Sequence, residues 1–480
     1  MNYAMIFYLL GRVVQVVGAM MAAPFIVSLV YSEKSGWYYL FCGIAMFIVG
    51  TLLTIKKPKK TAFYAKDGFV MTSLSWIVLS AAGALPFWLS GEIPSYTDAL
   101  FECISGFTTT GASIVPAVED LSKCTNFWRC FIQLIGGMGV LVFLLALLPL
   151  TGGRDLYIMK AESPGPSVGK LAPKVRQTAY YLYIIYFFLT AALFVSLIVA
   201  GMPVYDALCT ALATTSTGGF GVKNDSLGGY SNTIQYIVAG FLFFAGLNYN
   251  FYFFLWTRRF KEAFSIEEIR AYAVAFWGAV VLIAINLLSA GTYGAEPAFR
   301  HAFFQVGSIM TTAGFSSVDF ENWPALSRDI IICLMLVGGC AGSTSGGIKV
   351  SRIQIYVKML ARELSSLCHP KSVRVICMDG KRVSSDVLRS TMVFLAAYVV
   401  IFAVSVLLIS LDGSDFTTDF TAVASALGNI GPGFSLVGPA RNFAFFSDFS
   451  KAVLMFDMLA GRLELFPMLV LMSPATWRKN

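Results

Sequence analysis

The chain has 480 residues, 57% of them hydrophobic and only 13% charged, with a mean hydropathy of +0.71. A soluble globular protein carries about a quarter of its residues charged, so this composition excludes an ordinary soluble domain. The formal net charge of +8 does not signal nucleic acid, because the basic residues are confined to particular loops.

Nine stretches free of charge run over 13–32, 35–55, 68–90, 130–150, 178–205, 230–257, 271–295, 330–348 and 391–411. A helix needs roughly 20 such residues to cross about 30 Å of hydrocarbon, so the chain reads as an all-α membrane protein. The first stretch is long, follows only Arg12 and lacks a clean small-residue cleavage site, so it is expected to stay as an anchor. Residues 1–66 are expected to form two N-terminal transmembrane helices.

Beyond them the sequence repeats itself. Four polar stretches interrupt the apolar background: SGFTTTGAS (105–113), ATTSTGGFG (213–221), SIMTTAGFS (308–316) and SALGNIGPG (425–433). Aligning Gly111, Gly219, Gly314 and Gly431 gives spacings of 108, 95 and 117 residues. An apolar helix precedes each (68–90, 178–202, 272–291, 390–411), and another follows (127–150, 230–256, 329–357, 446–472). Between helix and motif lies a short segment of about 12 residues, entered through Pro94, Pro203 or Pro297 in the first three units. Asp98, Asp206 and Glu296 lie near its start, where an acid suits the helix dipole. Twelve helical residues rise about 18 Å, too little to cross a bilayer. The predicted unit is therefore helix, half-helix, glycine-containing turn, helix. Four such pseudo-repeats are expected at 67–160, 161–265, 266–375 and 376–480, giving ten full spans and four re-entrant loops. Irregular backbone at that depth is tolerated only where it is buried in protein or lines water.

The loops at 55–67, 151–177, 257–270 and 349–389, with the C-terminal tail, hold 25 of the 35 basic residues. The positive-inside rule places them, and both termini, in the cytoplasm. The opposite loops carry Glu92, Asp98, Glu119, Asp120, Asp225, Asp319, Glu321, Asp412 and Asp415. Such a face is expected to concentrate cations modestly, and plain solvation accounts for it equally well. Nine cysteines without a CxxC and two histidines offer no ordinary metal site.

Four half-helices around one axis point partly negative C-terminal ends at it. Their turns, Thr109–Thr110–Gly111, Thr217–Gly218–Gly219, Thr312–Ala313–Gly314 and Asn429–Ile430–Gly431, would line that axis with backbone carbonyls, which replace an ion's hydration shell. With no fixed charge in the turns, a large monovalent cation suits them better than a divalent one.

These motifs, spread over essentially the whole chain, resemble the potassium-uptake subunits of the Trk/Ktr/HKT superfamily, in particular the bacterial Trk type. The resemblance implies a potassium-channel-like arrangement fused into one chain, with the four turns as a selectivity filter around one pore. Only the fourth unit departs from T-x-G, with Asn429 and a GPG that makes a less regular ring expected there. The stretch GGCAGSTSGGIK (338–349) cannot hold a regular helix. It is either a kink packed on a neighbour or an intramembrane gate at 338–347, formed by Gly338, Gly339, Gly342, Ser343, Thr344, Ser345, Gly346 and Gly347, as the resemblance implies. Arg462 either faces the pore as a barrier to cations, again by resemblance, or pairs with Glu464 to anchor its helix. The resemblance further implies a homodimer in the bacterial inner membrane and a cytosolic nucleotide-binding regulatory subunit of the TrkA type. Residues 371–386 offer that subunit a surface, or form a small hairpin that only connects spans. Potassium is the expected transported ion, with no organic cofactor and no nucleic-acid partner. No carboxylate sits in the turns, so passive permeation is favoured over sodium- or proton-coupled potassium symport. No nucleophile–base pairing, HExxH or Walker motif suggests an enzyme.

Overall fold

A computed structural model describes residues 2–56, 65–137, 139, 175–370 and 374–478. Helices α1 (Tyr3–Met20) and α2 (Ala22–Tyr31) form the first span, which begins ten residues earlier than the sequence suggested and breaks at Met21. Helix α3 (Gly36–Thr54) packs against it through two glycine pairs. A Cβ on Gly43 would lie 2.7 Å from the Gly18 carbonyl, and one on Gly50 2.6 Å from that of Gly11. Small residues spaced this way let membrane helices approach backbone to backbone.

Four groups of helices follow. Their leading helices are α4 (Ala65–Leu89), α7 (Val175–Val199), α12 (Glu267–Ser289) and α16 (Ser385–Ile409). With the two N-terminal spans, these are the six described helices long and apolar enough to cross a membrane. The windows in Tyr180–Val199 and Ser385–Asp412 are only 22% buried, leaving a broad apolar surface suited to lipid, whereas Lys66–Leu89 is 61% buried and central.

Each leading helix is followed by a short one: α5 (Tyr96–Phe107), α8 (Val204–Thr215), α13 (Ala295–Met310) and α17 (Phe416–Gly428). The expected first-turn acids are Asp98, Asp206 and Glu296, joined by Asp419 in the fourth. Ser95 and Asp415 cap two of these helices through their side chains.

The trailing helices depart from the expected straight spans. The first, α6 (Lys123–Gly137), leads into residues outside those described. The second is bent by 91° between α9 (Asn232–Ala245) and α10 (Tyr249–Trp256). A six-residue helix, α11 (Phe260–Ser265), precedes the third group. There the trailing helix stops at α14 (Ala325–Val337) and resumes as α15 (Val350–Cys368). The fourth breaks after α18 (Asp448–Arg462), because Glu464 and Leu465 adopt φ of 56° and 67° before α19 (Phe466–Met472). The only strands among the described residues, Cys377–Met378 and Lys381–Arg382, pair as an antiparallel hairpin within the basic loop.

Candidate functional site

The four polar turns share one backbone conformation. Thr109, Thr217, Thr312 and Asn429 have φ of 56°, 54°, 59° and 53°, and the glycines two residues on have 81°, 80°, 81° and 108°. Each turn closes its short helix with two backbone hydrogen bonds, N–H to C=O. The outer ones run from Thr110 to Ser105, Gly218 to Ala213, Ala313 to Ser308 and Ile430 to Ser425, at 2.8–2.9 Å. The inner ones run from Thr109 to Gly106, Thr217 to Thr214, Thr312 to Ile309 and Asn429 to Ala426. This is the Schellman ending of a helix, where the left-handed position normally takes glycine or asparagine. Asn429 is therefore at ease where three threonines are strained. The irregularity expected in the fourth unit falls on Gly431, the first glycine of its GPG, rather than on Asn429.

The turns also meet in cyclic order. A Cβ on Gly111 would lie 2.2 Å from the Gly218 carbonyl oxygen, one on Gly219 1.9 Å from that of Ala313, and one on Gly314 2.0 Å from that of Ile430. A Cβ on Gly431 would lie 2.9 Å from the Thr110 oxygen, which closes the ring. Against one face of this ring lies a cavity of about 120 Å³ that all four glycines line, together with Lys223 and Arg441. The acids expected to attract cations do not line it. Glu92 binds Ser122, Asp98 pairs with Lys451, Glu119 caps Asn224, and Glu321 accepts from the Ser435 amide. Asp412 and Asp415 hold Ser447 and Thr418, and the Thr418 hydroxyl keeps the Asp415 carboxyl below the usual carboxylate range.

Side chains absent from the motif reading brace the ring from behind. Glu102 and Arg129 form a 2.6 Å ion pair, 0% and 1% exposed. Glu102 also accepts from the Ile114 amide at 2.9 Å, fixing the chain just past Gly111. Gln133 donates to the Gly218 carbonyl at 2.6 Å and accepts from the Phe220 amide at 3.2 Å. The Gly218 oxygen is thus already engaged, and so is that of Gly431, which accepts from the Ser425 hydroxyl. The sequence signal for the ion pair was weak, because the helices that carry Glu102 and Arg129 also hold Asp98 and Lys123.

On the other face sits the loop 338–349. Its ends are drawn together by the Lys349 amide on Val337 O (2.9 Å) and the Val350 amide on Gly339 O (3.0 Å). Gly338, Gly342 and Gly347 take positive φ within it. The Gly346 amide donates to Thr312 Oγ1 at 2.6 Å, and the Thr344 hydroxyl to Thr215 O at 3.3 Å, so the loop lies directly against the turns. Ser343, Thr344 and Ser345 are buried. Arg462 joins the loop to the ring, with Nη1 on Thr109 Oγ1 (3.2 Å) and Thr344 O (2.9 Å) and Nη2 on the Gly136 and Gly137 carbonyls. Glu464 pairs with Arg352 at 2.5 Å.

The TrkH family, described as a cation transport protein, matches residues 40–479. The Trk system potassium uptake protein TrkH of Salmonella typhimurium is 36% identical over the full length of both chains. The Trk system potassium uptake protein TrkG of Escherichia coli K12 is 32% identical over 98% of each. A crystal structure of the potassium transporter TrkH from Vibrio parahaemolyticus matches with a TM-score of 0.89 and 33% identity, covering both chains completely.

Proposed function

This chain belongs to the TrkH family of cation transport proteins, and from that premise we propose that it takes up potassium across the bacterial inner membrane through the ring of four turns. It is a multi-pass membrane transport protein, not an enzyme. The ring acts as a selectivity filter, each of the repeats 67–160, 161–265, 266–375 and 376–480 giving a quarter of one pore. The observation that carries this reading is the cyclic contact of each glycine with the carbonyl of the next unit. Uncharged oxygens in a ring suit an ion that sheds its water at modest cost.

The loop 338–347 and Arg462 act as one closure below the filter. Arg462 sets a positive charge beside Thr109, and the loop holds that charge through Thr344. The chain works as a homodimer of complete pores, and a cytosolic nucleotide-binding subunit governs opening. These two expectations rest on family membership.

Potassium flux into vesicles carrying the purified protein tests the reading. Deleting 341–346 is expected to raise flux several-fold and leave the preference for potassium over sodium unchanged. Unchanged or abolished flux in a folded deletion would place the barrier elsewhere.

Coupled symport has one observation in its favour. Asp457 is fully buried in α18, where Ser405 donates to Oδ1 at 2.8 Å and Oδ2 has no hydrogen-bond partner among the described residues. An intramembrane ionisable residue marks a functional site by default, and a carboxyl with spare capacity suits a proton or a sodium ion. Potassium accumulation driven by a sodium or proton gradient, and lost in Asp457→Asn, would favour symport.

A further inference from the structure

The gating loop is fastened at one point that the filter does not need. Glu268, in the first turn of α12, is buried and accepts at Oε1 from the Ala341 amide (2.6 Å) and the Ser351 amide (3.1 Å). Those two donors flank the loop, one near its start and the other just past its end. At Oε2 the same carboxyl meets Asn248 Nδ2 at 3.4 Å. Asn248 sits at the 91° bend of the second unit's trailing helix. That bend is stitched to the loop by the Cys340 amide on Gly246 O (3.0 Å) and the Tyr249 amide on Gly342 O (3.1 Å). One side chain therefore gathers both ends of the loop and the neighbouring bend.

The residue before it faces the cytoplasmic hairpin. The Glu267 amide donates to Asp379 Oδ1 at 2.7 Å, and its carboxyl accepts from Lys358 Nζ at 2.5 Å and from the Asp379 amide at 3.4 Å. Lys358 also donates to Cys377 O at 2.8 Å. Asp379 is the first of the two turn residues of the hairpin.

We propose that Glu268 is the clamp that holds the intramembrane loop closed, and that Glu267 ties this clamp to the cytoplasmic hairpin. The proposal rests on the gating role of the loop. Its physical basis is accounting for buried donors. With the loop closed, the Ala341 and Ser351 amides have the Glu268 carboxyl as acceptor. Removing that acceptor orphans two buried N–H groups and lifts the advantage of the closed arrangement over an open one. Because the two glutamates are adjacent in one helical turn, displacing the hairpin shifts both together. Such a paired attachment turns a small cytoplasmic movement into release of the loop. Glu268 touches neither the ring nor the cavity beyond it, so it is a positioning residue.

The test compares potassium flux through full-length protein in vesicles for wild type, Glu268→Ala, Glu268→Gln, the 341–346 deletion, and the deletion combined with Glu268→Ala. Glu268→Ala is expected to raise flux at least five-fold at unchanged potassium-over-sodium preference. Glu268→Gln keeps a carbonyl acceptor for both amides and should stay within about two-fold of wild type. In the deletion background Glu268→Ala should add nothing, which a merely structural residue would not obey. A raised flux in the deletion with wild-type flux in Glu268→Ala overturns the clamp and leaves the gate standing. No rise in the deletion itself overturns the gate and the clamp with it. Should Glu268→Ala fail to fold, Glu267→Ala decides, since that side chain is a third exposed. Alkylation of buried Cys340, followed by peptide mass, should then quicken at least three-fold; an unchanged rate overturns the link to the hairpin.

Discussion

At the scale of single residues the four glycines differ in how much a methyl group would cost. The tightest approach is 1.9 Å at Gly219, then 2.0 Å at Gly314 and 2.2 Å at Gly111, while Gly431 has 2.9 Å. Below about 3 Å a backbone carbonyl must move, and all four positions also have positive φ. Gly219→Ala and Gly314→Ala should therefore lose at least ten-fold of the potassium-over-sodium preference, or fail to fold. Gly431→Ala should be the mildest of the four. Competition of the two ions in vesicle flux measures the order, and an equal loss at Gly431 would contradict the assigned ring. The sequence singled these glycines out through four similar polar motifs in matching places among the apolar helices. Gln133, which holds the Gly218 carbonyl, was not, because an amide side chain within a helix has no pattern to betray its partner.

At the scale of elements, apolar composition marked where helices lie but not where they break. The bend near Gly246–Asn248 falls inside an apolar run that sums to a span, and the break at Glu464–Leu465 beside a shorter apolar run. The loop at 338–349 was legible because its glycines are dense enough to defeat a helix. The short helix α5 and the trailing helix α6 of the first unit are joined by Glu102 and Arg129, a pair fully removed from solvent. Removing one partner leaves the other charge uncompensated, a loss of about 3–5 kcal/mol for buried pairs. Glu102→Gln and Arg129→Met should each lower the unfolding midpoint in detergent sharply. The double change to apolar residues should recover part of that loss. A double variant no better than the worse single would mean that the pair contributes through the Ile114 and Ser113 contacts of Glu102 instead.

At the scale of the whole molecule, the cyclic order of the turns could be inferred from their register only once each was known to bend the same way. The charge of the outer face was read less well. Sequence put the acids outside, but did not show that most of them satisfy loop amides and hydroxyls, as Glu92, Glu321 and Asp412 do. The cavity against the glycine ring instead carries Lys223 and the exposed Arg441. A unit charge roughly 8 Å from an ion in water is worth about 0.5 kcal/mol, a factor of about two in local concentration. If the ring is the proposed filter, these two bases repel potassium from its entrance rather than gather it. Arg441→Ala is expected to raise potassium flux about two-fold at low ionic strength, and the change at Lys223 added to it about four-fold. The gain should vanish near 1 M salt, where screening acts within about 3 Å, and the ion preference should not change, because neither residue belongs to the turns. Flux measured against ionic strength, with a large organic salt as the inert electrolyte, checks the sign. A fall in flux on removing Arg441 would overturn that sign, since the backbone hydrogen bond from the Arg441 amide to Gly438 O survives the substitution.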